Sequence, residues 1–509
     1  MKFYKDHYDV IVVGGALAGL SCALMLADKG KDVLVLERHN LPGGVATSFV
    51  RGGIEIEAAL HEMMSIGDKN DRLKVGKFFD DMGVDIDWLK VPEAYHASLP
   101  GLEVTLHPGF ERFAKEVDEA VPGCYDKVLK LLKLCHTVFD SVNELSIHPM
   151  SKPKMLLKHE AFVKTAGYSA KEVIDTFDLP QKAKDLLAPY WIYVGSGLSE
   201  LPFTIYAVLM ADYVGYGSYI PKGFSHEMAL KMAERAEAMG VQIEYRQNVE
   251  KILVRDGKAC GVRTARGDEI FADYVVSSAY PNKVYTQMIE PASAVPPGAV
   301  KMINGRRISL TAFSVIMILD RPAEELNIRD YSIFRGDTMD TDALYENLAG
   351  LGPYRYLTCI CHNYGNPGCT PEGTCSFSVT VLPRVDGWKQ VKAEDYDRVK
   401  HEVAKQIIDD MSAYFGVNLL DHVLEIVIET PMTVNRYTGA WNGCIYGYAH
   451  TMDDHIIARL QTAEAERFIG HLEFSGAHQI SGDGMGPAVT NGRKAAKNVL
   501  DTMAEEAKQ

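Results

Sequence analysis

A glycine-rich segment near the start of the chain has the residue types and the spacing of a dinucleotide-binding turn. The β-branched run Tyr8–Val13 leads into a Gly-Gly-Ala-Leu-Ala-Gly turn, a helical stretch over 17–29 and an apolar strand that ends at Glu37. Such a unit points free N–H groups and a helix dipole at a pyrophosphate, while the acid accepts hydrogen bonds from a ribose. The cofactor contacts predicted here are Gly14, Gly15, Ala16, Ala18, Gly19 and Glu37.

Ala16 departs from the common glycine pattern of this turn. It occupies the position of the second glycine, which normally lets the backbone approach the pyrophosphate closely. Because the turn lies between two strands and the acid is in register, we still predict a dinucleotide site.

A second Gly-Gly segment follows the acid, in the run Pro42-Gly43-Gly44-Val45-Ala46-Thr47-Ser48. Together with Glu37-Arg38, this run resembles the FAD-dependent oxidoreductases that include amine oxidases and phytoene desaturases. The resemblance implies that the segment continues along the dinucleotide of FAD. The further contacts it implies are Arg38, Gly43, Gly44, Ala46 and Thr47.

The C-terminal end supplies the second half of the same resemblance. A strand and turn over 471–477 precede a glycine-rich run over 482–487 and a helix that we expect to begin near Pro487. In the family this helix closes over the flavin, with its dipole directed at the isoalloxazine. The family's usual acid is replaced by Ala477, and we expect Asp483 to substitute for it. The contacts implied here are Gly476, Asp483, Gly484, Met485, Gly486 and Pro487.

An internal segment over 221–279 resembles the middle part of the flavin domain in the phytoene desaturase branch. Its strands surround a predicted Asp256-Gly257 hairpin, and the resemblance implies cofactor contacts from Val249 and Ala279. The run 430–447 resembles the T-P-x-T-x-x-R-[YF]-x-G…G-x-x-Y-G element of phytoene desaturases, carotenoid isomerases and retinol saturases.

The order of these segments predicts an α/β fold with a discontinuous, Rossmann-type FAD-binding domain of the GR2-like kind. We assign residues 1–69, 216–285 and 431–509 to that domain. We assign 70–215 and 286–430 to an inserted α+β substrate-binding domain.

The resemblance implies an FAD-dependent oxidoreductase acting on carbon–carbon bonds of a long, apolar, unsaturated substrate such as a carotenoid, a retinoid, another isoprenoid or a fatty acid. Hydride transfer at flavin N5 would give desaturation, saturation or double-bond isomerisation, which the residues do not distinguish. The candidates for proton handling are His61, Glu62 and Tyr437. Aromatic residues over 190–219 either line an apolar tunnel or form core.

Two other functions remain open from the sequence. The first is a flavin amine or amino-acid oxidase, whose amine would sit in an aromatic cage. The second is a non-enzymatic prenyl-lipid binding protein, because GDP-dissociation inhibitors resemble this fold without using flavin. The intact Gly43-Gly44 pair argues against the second.

Composition limits the partners. The chain of 509 residues carries 53 basic and 68 acidic side chains, a net charge of −15, which argues against a nucleic-acid partner. Nine cysteines at irregular spacings predict neither a disulfide scaffold nor a metal site. Since the N-terminus shows no signal pattern and no run is long enough to span a membrane, we expect a cytoplasmic protein that is soluble or peripherally bound to a membrane. A homo-oligomer is compatible with the sequence, which does not determine the oligomeric state.

Lysines and apolar residues interleave near 125–160. Val128, Leu131, Leu132, Cys135 and Phe139 follow the spacing of one helical face, and six lysines lie between 127 and 159. One interpretation is a peripheral contact with an anionic bilayer; the other is an ordinary helix whose stripe faces the core.

Overall fold

The computed structural model describes residues 4–147, 152–462, 467–482 and 484–508. The strands are β1 (Tyr8–Val13), β2 (Val33–Leu36), β3 (Ser48–Arg51), β4 (Ile54–Glu57), β5 (Gly67–Asp68), β6 (Asp71–Arg72), β7 (Trp88–Lys90), β8 (Tyr95–Leu99), β9 (Leu102–Leu106), β10 (Tyr219–Pro221), β11 (Gln242–Glu244), β12 (Val249–Arg255), β13 (Lys258–Thr264), β14 (Glu269–Ser277), β15 (Ile289–Glu290), β16 (Phe313–Leu319), β17 (Ser332–Gly336), β18 (Tyr356–Cys361), β19 (Cys375–Val381), β20 (Val423–Glu429) and β21 (Leu472–Phe474).

The α-helices alternate with these strands along the chain. They are α1 (Leu17–Asp28), α2 (Lys74–Met82), α3 (Phe110–Ala120), α4 (Tyr125–Ile147), α5 (Lys152–Lys158), α6 (Glu160–Thr165), α7 (Ala170–Asp175), α8 (Gln181–Leu187), α9 (Phe203–Leu209), α10 (Phe224–Ala238), α11 (Pro281–Lys283), α12 (Pro297–Asn304), α13 (Thr341–Asn347), α14 (His362–Gly365), α15 (Val385–Trp388), α16 (Tyr396–Phe415), α17 (Pro431–Thr438), α18 (Ile456–Thr462) and α19 (Met485–Glu506).

The first large sheet is assembled from three separated stretches of the chain. Its order is β11-β2-β1-β14-β13-β12-β15, with β21 paired to β14. The strands β11, β2, β1, β14 and β21 run parallel to one another. One face of these strands packs against α1, α10 and α19, and the other packs against β12, β13 and the segment 284–303. Because both faces are buried, the apolar residues of β1 and β2 form continuous runs rather than alternating with polar ones.

Helix α1 starts directly after β1, and it can do so only because the turn is built from glycine. A Cβ placed on Gly19 would lie 1.9 Å from the carbonyl oxygen of Gly14, whose φ is +104°. The same helix packs against the last helix, α19. The Ser21 hydroxyl donates to the Val489 carbonyl at 3.1 Å, and a Cβ on Gly492 would lie 2.1 Å from the Ala18 carbonyl oxygen. The two ends of the chain therefore meet beside the turn.

The predicted hairpin at Asp256-Gly257 joins β12 to β13. Both residues have positive φ, +51° and +76°, and the two strands pair antiparallel. This is the geometry that an Asp-Gly pair favours in a two-residue turn.

The second large sheet has the order β20-β16-β19-β18-β17-β8-β9 and is antiparallel except between β17 and β8. One face packs on α16, and its side chains Val315, Met317 and Val379 are fully buried there. The opposite face turns toward the first sheet. Side chains of a strand alternate between the faces, so that opposite face is free to carry polar groups without disturbing this core.

Helices α3 to α9 form a separate apolar core, to which α4 contributes its whole stripe. Val128, Leu131, Leu132 and Cys135 are fully buried in it, and Phe139 is 7% exposed. The core interpretation of this stripe is therefore the correct one. None of the described helices has the length and apolar character needed to cross a bilayer. Among the described residues, no group of His, Cys, Asp and Glu side chains is arranged so that it could hold a metal ion.

Candidate functional site

A cavity of about 600 Å³ lies between the two large sheets. On one side it is bounded by the carboxyl ends of β1 and β2 and by the residues that follow β14. On the other side it is bounded by the face of β16, β18, β19 and β20 that turns away from α16. The carboxyl ends of parallel strands are where open α/β sheets bind ligands.

Most of the residues predicted to contact the cofactor line this cavity, although they come from distant parts of the sequence. They are Gly14, Ala16, Ala18, Glu37, Arg38, Gly43, Gly44, Ala46, Thr47, Val249, Ala279, Gly476, Gly484, Met485, Gly486 and Pro487. Gly15 and Gly19 are not part of the wall. Asp483 lies outside the described residues.

Glu37 is the acid at the end of β2, and it is 6% exposed. Its carboxylate accepts the N–H of Gly15 at 2.7 Å and the N–H of His39 at 2.6 Å. These bonds hold the turn after β1 against the end of β2. Gly15 therefore shapes the site by holding the Glu37 carboxylate in place. Gly19 shapes it by allowing α1 to pack closely against the turn.

Gln247 is a residue that the sequence did not single out. Its backbone N–H donates to the Glu37 carbonyl at 2.8 Å, and its side chain lines the cavity near Val249. Both polar atoms of its amide are buried and have no hydrogen-bond partner among the described residues. Buried amides are normally paired, so this group fits a polar ligand at the adenine end of a dinucleotide. The only sequence signal was its place directly before a cofactor strand.

Helix α19 begins at Met485, two residues earlier than expected. Its first turn, with Gly484, Gly486 and Pro487, forms part of the cavity wall. The first N–H groups of a helix have no partner within the helix, and they carry its positive dipole end. This turn can therefore stabilise negative charge on a bound group.

Glu62 is buried in the cavity wall, where it is 6% exposed. The Tyr193 hydroxyl donates to its carboxylate at 3.0 Å, and the Ser218 hydroxyl donates to its other oxygen. Burial raises the pKa of Glu62 to about 7, although these two donors act in the opposite direction. A carboxyl group with a pKa near neutrality can both give and take a proton at physiological pH.

His61 lies beside Glu62 in sequence but has different partners. Its Nε2 is 3.3 Å from the Thr380 hydroxyl, and its carbonyl accepts the Tyr331 hydroxyl. Burial lowers the pKa of His61 to about 3, so the ring is neutral. It is thus suited to hydrogen bonding rather than to carrying a proton.

Tyr437, the third predicted catalytic residue, is placed differently. Its side chain is 51% exposed, and its ring lies edge-on to that of His39, with the centroids 5.7 Å apart. It lines the cavity, and the guanidinium of Arg436 lies 5.9 Å from the centre of its ring. Because its side chain is half exposed, we prefer the buried Glu62 to Tyr437 as the candidate for proton transfer.

The aromatic cluster divides between core and cavity. Tyr193 and Tyr213 line the cavity beside Glu62, whereas Tyr190 and Tyr206 do not. Tyr190 stacks on Tyr213 at 4.9 Å, and Tyr193 meets Tyr213 edge-on at 5.6 Å. Because these rings contact one another directly, they form one continuous apolar wall.

Comparison with known proteins agrees with this geometry. The family model described as flavin containing amine oxidoreductase matches residues 17–500. Prolycopene isomerase 2 of an Oncidium hybrid cultivar is 25% identical over 86% of this chain and 75% of its own length. The all-trans-retinol 13,14-reductase of Macaca fascicularis is 25% identical over 88% of this chain and 78% of its own length.

A solved structure of wild-type putrescine oxidase bound to putrescine has the same fold. It superposes with a TM-score of 0.65 at 13% identity, over 97% of this chain and 99% of that one. The predicted fold class, a Rossmann-type FAD-binding fold with a substrate domain, is confirmed. The chain belongs to the flavin containing amine oxidoreductase family, and it is an FAD-dependent oxidoreductase.

Proposed function

We propose that this chain uses FAD to change carbon–carbon bonds of a long, apolar, unsaturated substrate, by desaturation, saturation or double-bond isomerisation. The observation that carries the proposal is Glu62, a carboxyl group with a pKa of about 7 that lies beside packed tyrosines in the cavity lined by the predicted FAD contacts. The names of the two relatives, an isomerase and a reductase of polyenes, support the same chemistry.

The cofactor residues of the proposal are those that line the cavity at the ends of β1, β2 and β14, together with Gln247 and the first turn of α19. FAD, when bound, exchanges a hydride at its N5 position. The turn after β1 would hold the pyrophosphate, and Glu37 would accept from the ribose. The N-terminus of α19 would stabilise negative charge on the reduced cofactor.

Glu62 is the residue that we assign to proton handling. In the direction that adds hydrogen, its protonated carboxyl gives a proton to the substrate carbon, and Tyr193 and Ser218 stabilise the carboxylate that remains. In the reverse direction the carboxylate takes the proton back. The packed tyrosines exclude water and contact the hydrocarbon, whose burial contributes about 0.8 kcal/mol per CH₂ group.

An amine oxidase on the same scaffold would need a gap between facing aromatic rings to hold the amine. Tyr193 and Tyr213, the two tyrosines beside Glu62 that line the cavity, instead meet edge-on at 5.6 Å and leave no such gap between them. This part of the wall therefore offers an apolar contact surface, which supports a polyene substrate.

The test is anaerobic reduction and reoxidation of the bound flavin, followed by its absorbance, with a panel of carotenoid precursors, retinoids, unsaturated fatty acids and amines. We expect unsaturated lipids to change the flavin spectrum, and we expect amines to be inert. Spectral change with amines alone, accompanied by hydrogen peroxide release in air, would disprove the proposal.

We also propose that helix α5 rests on an anionic bilayer, from which such a substrate would enter. Leu156 and Leu157 are 55% and 87% exposed, and Lys154 and Lys158 are exposed beside them. Exposed leucines next to lysines are typical of a surface that dips into the headgroup region.

A further inference from the structure

A row of polar side chains crosses the cavity face of the second sheet. Ser314 on β16 pairs in register with Glu429 on β20 and with Thr380 on β19, and Thr380 pairs with Thr358 on β18. Directly paired residues point to the same face of a sheet. All four line the cavity, and we call them the polar row.

On the cavity surface, apolar residues border the polar row. Ala312 directly before β16, Leu382 directly after β19 and Val427 on β20 also line the cavity. The other face of the same strands is the fully apolar core against α16. A hydrocarbon needs no such row, because polar groups under an apolar ligand lose their water without gaining a partner.

The hydroxyl groups of the row are connected to one another. The Ser314 and Thr380 hydroxyl oxygens are 3.0 Å apart, and the Thr358 hydroxyl donates to the Thr380 carbonyl at 2.9 Å. His61 Nε2 extends the connection from the Thr380 hydroxyl toward the Glu62 end of the cavity. These members are already satisfied within the protein.

Glu429 is the exception. In the described part of the structure its carboxyl group has no hydrogen-bond or ion-pair partner, although it faces the cavity at the last position of β20. Burial, with the nearby Glu57 as a smaller cause, raises its pKa to about 8, so the group is neutral at pH 7. A neutral carboxyl both donates and accepts, which matches an alcohol. A carboxylate ligand would meet two acidic side chains here, Glu429 and the nearby Glu57.

We propose that Glu429 and the polar row bind the terminal hydroxyl group of an unsaturated lipid alcohol, so that the substrate is amphiphilic rather than a pure hydrocarbon. This inference rests on the proposed function and specifies its substrate class. Glu429 lies two strands from Thr380, about 10 Å across the sheet. Anchoring the hydroxyl at Glu429 would therefore set which double bond reaches the Glu62 end.

The experiment measures ligand binding to the full-length FAD-loaded protein by perturbation of the flavin absorbance. The probes are geranylgeraniol, geranylgeranyl amine and the hydrocarbon with the same chain but no heteroatom. The variants are Glu429→Gln, Glu429→Leu and Ser314→Ala. Glu425→Gln is the matched control, since it makes the same change on the same face of β20 at a residue outside the cavity wall.

We expect the alcohol to bind the unaltered protein about tenfold more tightly than the hydrocarbon. Glu429→Leu should remove this preference, while Glu429→Gln should keep most of it because an amide also donates and accepts. Ser314→Ala should reduce it a few-fold, and Glu425→Gln should leave it unchanged. Equal melting temperatures would show that the variants are folded.

Two results would overturn the inference. The first is equal affinity for alcohol and hydrocarbon in the unaltered protein. The second is a preference for the amine that Glu429→Gln abolishes, which would mean a cationic headgroup. If the alcohol preference is absent while polyenes still change the flavin spectrum, only this inference fails. If no unsaturated lipid affects the flavin, the proposed function fails as well.

Discussion

The two sheets that bound the cavity contribute to it in different ways. The parallel sheet offers the ends of its strands, where backbone groups and glycines approach a ligand closely, as in the turn from Gly14 to Gly19. The antiparallel sheet offers one of its faces, where side chains such as Glu429 and Thr380 stand over the cavity. The first surface is shaped by the absence of side chains and the second by their presence.

This difference indicates which surface determines cofactor binding and which determines the choice of substrate. A backbone surface recognises features that all dinucleotides share, such as a pyrophosphate, and it tolerates almost no added atom. A side-chain surface can exchange one polar group for another without moving a strand. We therefore expect substitutions on the first surface to affect cofactor affinity, and substitutions around the second to affect substrate and proton chemistry.

The largest expected effect concerns Glu62. Glu62→Gln keeps the hydrogen bond from Tyr193 but removes the proton, so kcat should fall by about 10²-fold or more. In the unaltered enzyme, kcat should fall as the pH rises through about 7 in the direction that protonates substrate, and rise in the reverse direction. Steady-state rates measured from pH 5 to 9 check both statements.

Glu93→Gln is the matched control for that variant. Burial raises the pKa of Glu93 to about 7 as well, but its carboxylate accepts backbone N–H groups of Tyr331 and Ser332 outside the cavity. We expect its kcat to stay within a few-fold of the unaltered value. An equal loss of kcat in both variants would contradict the role of Glu62.

The backbone surface is tested by Gly19→Ala. The added methyl group would lie 1.9 Å from the Gly14 carbonyl oxygen, so α1 must shift away from the turn. A strained close contact of this kind costs about 1–3 kcal/mol, which corresponds to roughly 5- to 150-fold weaker FAD binding. The ratio of flavin to protein absorbance, titrated with FAD, measures the loss.

Gly298→Ala serves as the control for this substitution. A Cβ on Gly298 meets no atom within 4 Å, and its φ is ordinary. FAD affinity should not change in this variant. Full flavin occupancy in Gly19→Ala would mean that close backbone approach is not what shapes the cofactor surface.

The pH dependence of folding stability gives a second test of Glu62, which is independent of its effect on kcat. The pKa of Glu62 is about 7 in the folded chain and 4.5 ordinarily, so the folded state holds the proton more tightly. The stability from this proton is complete below pH 4.5 and is lost as the pH rises through 7. Relative to the unaltered protein, Glu62→Gln should therefore gain stability from pH 5 to pH 8, by at most about 3 kcal/mol.

Thermal melting of Glu62→Gln and Glu93→Gln at both pH values checks this expectation. Because the pKa of Glu93 is raised for the same reason, its variant should show the same trend in melting temperature. Only the Glu62 variant should also lose rate. A melting difference that does not change with pH would show that the carboxyl is not held protonated in the folded chain.

The smallest expected effect lies outside both surfaces, on α5. Leu157→Lys removes an exposed apolar side chain from the proposed bilayer contact and should weaken sedimentation with anionic phospholipid vesicles by tenfold or less. Leu420→Lys changes another exposed leucine, 43% exposed and remote in sequence, and should have no effect. Equal sedimentation of all three proteins would disprove the contact.

The sequence allowed prediction of the surface built from backbone. The turn at Gly14, the acid Glu37 and the hairpin at Asp256-Gly257 are each specified by a few consecutive residues with restricted φ angles. Local geometry of this kind can be inferred without knowing what packs against it. The domain boundaries remain a prediction.

The polar row was not foreseen, for a physical reason. Ser314, Thr380 and Glu429 become neighbours only through the register of strands that lie far apart in the chain. Strand register is set by packing and turn geometry, which single residues do not reveal. The unpaired amide of Gln247 and the exposure of Tyr437 likewise depend on tertiary contacts.

The contact between α1 and α19 has a consequence for biosynthesis. The glycine turn before α1 and the helix α19 lie far apart in the sequence. Even so, the Ser21 hydroxyl donates to the Val489 carbonyl, and Gly492 packs closely against Ala18. A nascent chain whose α19 has not yet left the ribosome lacks this part of the cavity wall. Flavin capture should therefore begin only after α19 has emerged and packed against α1.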